Sequence, residues 1–458
     1  MSRTLRWPPL LAYGSLRAPL ALLELPLFVL LPAFYSERIG MELALIGAIL
    51  FATRLLDAVL DPAIGVMLDR SSRRLTLRGW ILATLPLLII GYAALFYPPD
   101  GVVPAVWLAA SSMLVYLAYS LISIAYQTWG AQLGDSTTER VRITATREAF
   151  GLAGVLVSAS FLTADQTGRL VLLFVGAAVI SALVLRRAPA PSAWQKAVLP
   201  AGEAPARPAR LFAVRETWRT VLGLRPFRWL LAVFVINGIA TAIPATLVLF
   251  FVADVLGAAD RAPLFLVVYF LAGAVGMPIW VKVAARLGLT FTWLLGMSFA
   301  VAAFVWTLGL GPGDVVPFLF VCVMTGLALG ADLAIPPAML ANVLARRSRD
   351  DNERGEATFF GVWNLATKFN LAVAAGFALP LLGWLGYEPG QAVGDTVALS
   401  MTYAALPCLL KLAAGCLLLL APMPADEQPL TLSDPEGPVT PPSGVPDPLT
   451  NASFREPS

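Results

Sequence analysis

Two aspartates and an arginine share one face of an apolar segment near the start of the chain. In the stretch RLLDAVLDPAIGVMLDRSSRR, Arg54, Asp57 and Asp61 are separated by three and four residues, so a helix places their side chains on the same side. A charge inside a membrane is costly unless it is paired or faces a water-filled cavity. The spacing therefore predicts a shared cation or proton site, with Arg54 as a candidate partner. The alternative is a salt bridge between Arg54 and Asp57 that only braces the fold.

The segment lies in a chain whose composition is typical of a membrane protein. Hydrophobic residues make up 58% of the 458 residues and charged residues 13%, against about 25% charged residues in soluble domains. A membrane-spanning helix needs about 20 mostly apolar residues. Twelve such runs occur: 10–35, 43–68, 79–98, 103–132, 146–164, 168–186, 229–253, 261–284, 289–311, 315–343, 357–384 and 397–422. We therefore predict an all-α integral membrane protein with twelve transmembrane helices.

A long connection divides the twelve runs into six and six, which is typical of two related bundles that meet at a midplane site. We predict an N-terminal six-helix bundle (1–185), a cytoplasmic linker (186–228), a C-terminal six-helix bundle (229–422) and a disordered cytoplasmic tail (423–458). The first part of the linker is rich in proline and alanine, which is typical of a linker. Its second half is predicted to form a short amphipathic helix on the membrane surface. The tail is rich in proline and acidic residues and has no apolar period.

Basic residues are distributed unevenly between the connections. Most of the 32 Lys and Arg residues fall on the side of the N-terminus, and only Arg38, Arg169 and Arg261 fall on the other side. Cationic loops resist translocation, so both termini are expected in the cytoplasm of a multi-pass protein of a cell membrane, the inner membrane of a bacterium. The basic loops are explained by topology, and nucleic acid is not an expected partner. The expected partners are the lipid bilayer, a small solute and a coupling cation, and we expect a monomer.

The composition also argues against an enzyme. Histidine is absent, which removes the usual proton carrier near neutral pH, so proton chemistry must use carboxylates. The three cysteines, Cys322, Cys408 and Cys416, lie in apolar runs and are interpreted as packing residues. No nucleophile–base pair or metal cluster has a recognisable spacing. We expect no cofactor beyond a coupling ion, H⁺ or Na⁺, and no metal except Na⁺ at the two helix-two aspartates.

The end of the quoted stretch, Gly65-x-x-x-Asp69-Arg70-x-x-Arg73-Arg74, resembles the loop signature of the major facilitator superfamily between its second and third helices. The resemblance implies the major facilitator fold. It also implies that Gly65 permits a close approach of two helices. Asp69 and the arginines would then form a network at the cytoplasmic face that acts as a conformational gate. The alternative is an ordinary basic cytoplasmic loop.

The longer pattern, Arg-x-x-Asp-Ala-x-x-Asp-Pro-x-x-Gly, resembles the glycoside–pentoside–hexuronide:cation symporters, the branch that contains the melibiose carrier. The resemblance extends weakly over most of the first 422 residues. It implies that Asp57 and Asp61 bind the coupling cation, with the helix-four hydroxyl of Ser120 and the helix-eleven amine of Lys368 beside it. It also implies that Arg147 of helix five contacts the solute.

The chain departs from that family at three positions. Leu60 stands where the family has an asparagine, and the loss of an oxygen ligand weakens a Na⁺ site more than a proton site, so we favour H⁺. The family's sugar-contacting acids fall on Ala21 and Ser123, which puts melibiose-like sugars in doubt.

Other charges lie inside the predicted membrane crossings. Glu24 shares a helix face with Arg17. We consider three alternative roles for Glu24 and for Asp332: contact with the solute, transfer of a proton, or an ion pair with a neighbouring helix. We keep both as solute-site candidates, together with Arg54, Arg147 and Ser123. Lys411, in the last crossing, is interpreted as snorkelling to the membrane surface.

These residues predict a secondary active transporter that couples a cation, H⁺ rather than Na⁺, to a small organic solute by alternating access. The solute is sugar-like by family resemblance. One alternative is a transporter of a lysolipid or another amphiphile. Another is a membrane scaffold or sensor that transports nothing.

Overall fold

The structure is a computed structural model that describes residues 6–28, 30–71, 75–161, 167–189, 214–350, 355–387 and 396–422. Over these stretches the chain forms helices and no strand. Residues 1–426 form one compact unit. The second unit, 427–458, and with it the predicted disordered tail 423–458, lies outside the described residues.

The first eight helices run from the N-terminus to the start of the predicted linker. They are α1 (Trp7–Gly14), α2 (Arg17–Phe28), α3 (Leu30–Glu37), α4 (Leu43–Ser71), α5 (Leu77–Phe96), α6 (Pro104–Leu133), α7 (Thr137–Ala159) and α8 (Thr167–Val184). A short 3₁₀ turn, Leu185–Arg187, follows α8.

The described C-terminal part begins with the amphipathic helix predicted in the linker. Its helices are α9 (Val214–Gly223), α10 (Arg225–Phe250), α11 (Ala262–Leu287), α12 (Leu289–Phe304), α13 (Val315–Asp350), α14 (Glu356–Trp384), α15 (Thr396–Ser400) and α16 (Leu406–Leu420). Helix α10 continues as a π-helical turn, Phe251–Val255, and a second π-helical turn, Met401–Ala405, joins α15 to α16.

Nine helical stretches of the described residues are long and apolar enough to cross a membrane, and they coincide with nine of the twelve predicted runs. The first predicted crossing is instead interrupted between α1 and α2, at Ser15 and Leu16. The second and fifth crossings fall on α4 and α7, which are single helices of 29 and 23 residues. Both carry several ionisable side chains in their interiors.

The break between α1 and α2 is supported by side-chain contacts with α6. Tyr13 donates a hydrogen bond from its hydroxyl to the Tyr126 carbonyl oxygen at 2.9 Å, and Tyr126 donates to the Tyr13 carbonyl oxygen at 2.7 Å. Ser181 of α8 donates to the Ser15 carbonyl oxygen at 3.1 Å. These donors satisfy carbonyl groups at an interrupted helix end, where a buried orphan would be costly.

The start of α7, which carries Arg147, is fixed by its cap. Ser136 accepts a hydrogen bond from the Glu139 amide at 3.3 Å, and the Glu139 carboxylate accepts one from the Asp135 amide at 3.1 Å. This reciprocal arrangement is close to a capping box.

Helix α14 packs between α4 and α6 and joins the C-terminal helices to the N-terminal ones. Helices α7, α11 and α13 make the other large contact between the two sets. Two glycines let α4 and α14 approach closely. A Cβ at Gly65 would lie 2.4 Å from the Ala357 carbonyl oxygen, and a Cβ at Gly361 would lie 2.4 Å from the Asp61 carbonyl oxygen. No side chain larger than hydrogen fits at either position without a backbone shift.

Candidate cation and solute site

Lys368 of α14 bridges the two acidic side chains of α4. Its Nζ lies 2.5 Å from Asp57 Oδ2 and 2.7 Å from Asp61 Oδ2, and it donates a hydrogen bond to Ser120 Oγ at 2.8 Å. Ser120, on α6, donates in turn to Asp57 Oδ1 at 2.7 Å. One lysine of the C-terminal helices is therefore held by three side chains of the N-terminal helices.

We define Asp57, Asp61, Ser120 and Lys368 as the cation locus. The first three side chains are buried, whereas Lys368 is 28% exposed. Among the described residues Asp61 Oδ1 has no hydrogen-bond donor, and Asp61 Oδ2 is held by the ion pair alone. Hard cations prefer oxygen ligands, so the carboxylates and the Ser120 hydroxyl are the groups that could hold Na⁺, and the carboxylates are the groups that could hold a proton.

Helix geometry explains how the locus forms. Asp57 and Asp61 are four residues apart on α4, about 6 Å of rise along one face. Gly361 lies directly against Asp61, and Lys368 follows it by seven residues, two turns further on the same face of α14. The close helix contact therefore brings the amine of Lys368 within reach of both acids.

Arg54, the partner suggested by sequence spacing, is oriented towards α6. Its Nε donates to the Tyr116 hydroxyl at 3.1 Å, and its guanidinium carbon lies 5.5 Å from the centre of the Tyr116 ring. The cation that bridges the two acids is Lys368, so a pair limited to Arg54 and Asp57 is not the organising contact of this site.

A second polar contact between α6 and α14 lies next to the cation locus. Gln127 Nε2 donates to Asn364 Oδ1 at 2.8 Å and to Ser123 Oγ at 3.0 Å. Asn364 Nδ2 lies 3.5 Å from the same Ser123 oxygen. Because Asn364 precedes Lys368 by four residues, both side chains of α14 face α6 on one side of the helix.

Glu24 and Arg147 belong to a chain of charges across α2, α6 and α7. Arg17 Nη1 lies 2.6 Å from Glu24 Oε1, and Tyr119 also donates its hydroxyl to Glu24. Arg17 Nε lies 3.6 Å from Glu148 Oε2, and Arg147 Nη2 lies 2.7 Å from Glu148 Oε1. Carboxylates and guanidinium groups therefore alternate in the order Glu24, Arg17, Glu148, Arg147.

Arg147 also lines a small cavity between α6, α7, α13 and α14. Its other polar lining residues are Gln127, Arg140 and Thr144. The C-terminal helices contribute Pro337, Ala341 and Phe360. The cavity lies where N- and C-terminal helices meet, so Arg147 lies at the interface between the two sets of helices.

Asp332, a solute-site candidate, lies in a separate cluster within the C-terminal helices. Lys411 Nζ donates to Asp332 Oδ2 at 2.6 Å, to Asn237 Oδ1 at 2.9 Å and to Thr241 Oγ1 at 3.1 Å. Asn237 Nδ2 and Trp293 Nε1 each donate to Asp332 Oδ1 at 3.0 Å. The interpretation of Lys411 as a snorkelling side chain is wrong, because a buried carboxylate attracts its amine into the fold.

Asp69, near the end of α4, binds the first turn of α14. Its Oδ1 accepts a hydrogen bond from the Ala357 amide at 3.0 Å, and its Oδ2 accepts from the Thr358 amide at 2.8 Å and the Thr358 hydroxyl at 2.5 Å. Amides of a first turn have no partner within their own helix, and a carboxylate there is favoured by the helix dipole. Gly65, one turn earlier, lies against the same turn of α14.

Two further contacts join neighbouring helix ends. Gln132 Nε2 donates to Glu356 Oε2 at 3.1 Å. Arg140 Nη1 donates to Asn342 Oδ1 at 2.6 Å, and Asn342 Nδ2 donates to Thr137 Oγ1 at 3.0 Å. We call these contacts, together with the Asp69 cap, the gate layer.

The structure describes one of the three arginines predicted to belong to the gate. Arg70 lies exposed in the last turn of α4. Arg73 and Arg74 lie outside the described residues.

Several residues of these networks were not identified from the sequence. They are Tyr119, Gln127, Glu148, Asn237, Trp293 and Asn364. Helical spacing could have identified Asn364, four residues before Lys368, and Gln127, seven residues after Ser120. Glu148 is adjacent to Arg147, but no local pattern shows that it bridges two arginines from different helices.

The sequence and the fold match known transporters. Residues 12–425 match the family model described as MFS/sugar transport protein. A sodium-dependent lysophosphatidylcholine symporter of Danio rerio is 23% identical over 422 residues, covering 83% of this chain and 79% of that protein. An uncharacterized symporter of Bacillus subtilis is 22% identical over 394 residues, covering 81% of this chain and 83% of that protein.

Solved structures share the fold at lower sequence identity. The Escherichia coli fucose:proton symporter superposes with a TM-score of 0.64 at 14% identity, over 90% of this chain and 98% of that one. A bacterial homologue of the iron transporter ferroportin, in an outward-facing state, gives a TM-score of 0.63 at 12% identity, over 91% and 99% of the two chains.

The family model and the symporter relatives, together with nine described helices long and apolar enough to cross a membrane, define a multi-pass membrane transporter and not an enzyme. The chain belongs to the major facilitator superfamily, within its glycoside–pentoside–hexuronide:cation symporter family.

Proposed function

We propose that the protein is a cation-coupled secondary active transporter of a small organic solute. The observation that carries the proposal is the bridge from Lys368 to Asp57, Asp61 and Ser120. A lysine from one set of helices occupies the position between two acids of the other set, where a small cation would be attracted. A coupling site must lie where the two halves of a transporter separate and meet again.

In the proposed cycle the lysine and the coupling cation compete for the carboxylates. Before the cation binds, Lys368 neutralises the acids and limits an uncoupled leak. When the cation binds, the amine is released from Asp61, and the solute site between the two halves can fill. A membrane potential assists inward movement of the cation by about 2.3 kcal/mol per charge per 100 mV.

We favour H⁺ over Na⁺ as the coupling ion. The locus offers two carboxylates and one hydroxyl, and Leu60 adds no oxygen between the acids. A Na⁺ ion needs several oxygen ligands, whereas a proton needs one carboxylate. The relatives support both ions, since one matched protein is named a sodium-dependent symporter and another a proton symporter.

The membrane arrangement follows the same family. We propose twelve crossings in two six-helix bundles. The interrupted first segment, α4 and α7 are the three crossings in addition to the nine apolar stretches. The protein lies in the inner membrane of a bacterium with both termini in the cytoplasm, and the functional unit is a monomer. The gate layer then closes the cytoplasmic side, and cation binding at Asp61 would loosen α14 from α4 before that side opens.

The proposed solute site lies between the halves beside the cation locus. Arg147, Glu24, Ser123 and Arg54 contribute from the N-terminal helices. Asp332 is assigned to bracing of the C-terminal half, because all its described partners lie there and satisfy both oxygens. A sugar-like solute follows from the family. A lysolipid is the second candidate, favoured by a match to a lysophosphatidylcholine symporter over 83% of this chain.

The test is gradient-driven uptake by the purified protein in vesicles, across a panel of sugars and lysolipids. Asp57→Asn and Asp61→Asn should each abolish accumulation driven by an imposed H⁺ or Na⁺ gradient. Asp260→Asn, the same change at an exposed loop position, is the matched control and should leave uptake intact. Accumulation retained by both locus variants would contradict the coupling role of the cation locus. No accumulation of any probe by the wild-type protein would instead favour a scaffold or sensor.

A further inference from the structure

The four alternating charges between α2 and α7 differ in how far they are exposed. Glu24 is 31% exposed, Arg17 21%, Glu148 12% and Arg147 7%. The most exposed group of the series is therefore the Glu24 carboxylate. The guanidinium groups of Arg17 and Arg147 are more buried than Glu24, and Arg147 is the more buried of the two. A charged side chain is not stable against lipid chains, so the exposed part of Glu24 faces the water-accessible interior.

The position of Glu24 places it close to the cation locus. Tyr119 of α6 donates its hydroxyl to Glu24, and the next residue, Ser120, donates to Asp57. Glu24 lies seven residues after Arg17 on α2, about 10 Å of helix rise, and the Arg17 side chain reaches along the helix to hold it at 2.6 Å. The carboxylate is thus fixed by Arg17 of α2 and by Tyr119 of α6, whose sequence neighbour Ser120 belongs to the cation locus.

The charges within the series also compensate one another. Both arginines are paired with carboxylates, Arg17 with Glu24 and Glu148, and Arg147 with Glu148. An anionic group of a solute would have to displace a carboxylate from one of these arginines while being repelled by Glu24. A hydroxyl or an ammonium group can instead donate a hydrogen bond to Glu24 without breaking an ion pair, because a carboxylate accepts several hydrogen bonds.

We propose that Glu24, held by Arg17 and Tyr119, selects solutes by charge, so that the protein takes solutes that present hydrogen-bond donors and carry no net negative charge. This inference rests on the proposed function and narrows its substrate class. Neutral sugars and zwitterionic lysolipids share this chemistry, because each has a hydroxyl group that can donate to Glu24 and carries no net negative charge. Uronates and lysolipids with a net negative headgroup are rejected.

The test uses two matched pairs of probes on the purified full-length protein. One pair is a methyl glycoside and the uronate of the same sugar, and the other is lysophosphatidylcholine and lysophosphatidate with the same acyl chain. Thermal stabilisation as a function of ligand concentration gives the apparent affinity for each member. In at least one pair the neutral or zwitterionic member should bind at least tenfold more tightly than the anionic member. The pair that shows this preference identifies the class of solute, a sugar or a lysolipid.

Three variants assign the selectivity to the charge. Glu24→Gln should reduce the ratio of the apparent affinities for the neutral and the anionic member at least fivefold. Glu24→Asp should keep the wild-type ratio. Glu42→Gln, at an exposed position outside the network, should behave as wild type. Equal or tighter binding of the anionic member by the wild-type protein would overturn the inference, even if Glu24→Gln does not fold. An unchanged ratio in folded Glu24→Gln would overturn it as well.

This failure is distinguishable from failure of the proposed function. If an anionic solute is accumulated under an imposed cation gradient, the transporter stands and the charge selection is wrong. If neutral solutes bind selectively but no gradient drives their uptake, the charge selection stands and coupled transport is wrong.

Discussion

Lys368 and Asp61 form an ion pair of 2.7 Å that joins α14 to α4, two turns along α14 from the point where Gly361 touches the Asp61 carbonyl oxygen. The lysine comes from the C-terminal helices and the acid from the N-terminal ones. In the proposed cycle, this pair links the charge that competes with the coupling ion to the close α4–α14 contact that must open.

Replacement of Lys368 tests the role of this amine as an internal competitor of the cation. Lys368→Met leaves two buried acids without their counter-charge, so a cation or proton should bind them more tightly and leave more slowly. We expect gradient-driven uptake to fall at least tenfold, equivalent to about 1.4 kcal/mol, while exchange of solute across the loaded carrier persists. Lys282→Met, at an exposed position near the end of α11, is the control. Undiminished net uptake by Lys368→Met would contradict the competition.

Alanine substitutions test whether the α4–α14 contact depends on its two glycines. Gly65→Ala and Gly361→Ala each place a Cβ 2.4 Å from a backbone oxygen of the facing helix. Overpacking of this kind costs about 1–3 kcal/mol, so the Tm in detergent should fall and uptake should be impaired.

The two helices provide matched controls for these glycines. A Cβ at Gly47 of α4 or at Gly376 of α14 would meet nothing within 4 Å. Alanine there should leave Tm unchanged or raise it, because alanine favours helix by about 1 kcal/mol relative to glycine. If all four alanine variants have the same Tm and the same uptake, the close approach of α4 and α14 contributes to neither stability nor transport.

The sequence predicted the elements better than their contacts. Apolar run length predicted nine spans closely, because burial in lipid depends on composition alone. It missed the interruption of the first crossing between α1 and α2, since the break depends on side chains from elsewhere, such as Ser181, that satisfy the exposed carbonyls. Four-residue spacing placed Asp57 and Asp61 on one face of α4. Spacing could not show that Lys368, which only the family resemblance placed beside them, bridges both acids.

The networks reveal the same limit. Lys411 was interpreted from its position in the last crossing alone, and its pairing with Asp332 of α13 is a tertiary contact with no local signal. Glu148 was overlooked for the same reason, because its function as a bridge requires Arg17 from another helix.

A charge-neutral exchange tests whether Asp332 and Lys411 form a structural pair. Asp332→Asn or Lys411→Met alone leaves one buried charge unpaired, which costs about 3–5 kcal/mol, so each variant should lose folded protein and uptake. The double variant removes both charges and should recover much of both, as judged by Tm and by uptake. A double variant that is folded but inactive would instead assign Asp332 a direct part in transport.

The Asp69 cap predicts how firmly the gate layer is closed. Asp69→Asn removes the negative charge from the start of α14 and should weaken the closed layer by about 1–2 kcal/mol. A cysteine introduced at Gln132, in a Cys416→Ser background, should then react about tenfold faster with a membrane-impermeant thiol reagent added from the cytoplasmic side. Asp135→Asn, exposed on the same side, should leave the rate unchanged. An unchanged rate in Asp69→Asn would show that the cap does not hold the gate.

The most direct test of the central claim measures the coupling ion and not the solute. Sealed vesicles that contain the purified protein receive a solute gradient, and the flux of H⁺ or Na⁺ is recorded with an internal fluorescent indicator. The cation locus predicts that the solute gradient drives cation flux in the wild-type protein and that Asp61→Asn abolishes it. Cation flux of equal size in Asp61→Asn, or solute movement without any cation flux in the wild-type protein, would contradict the account.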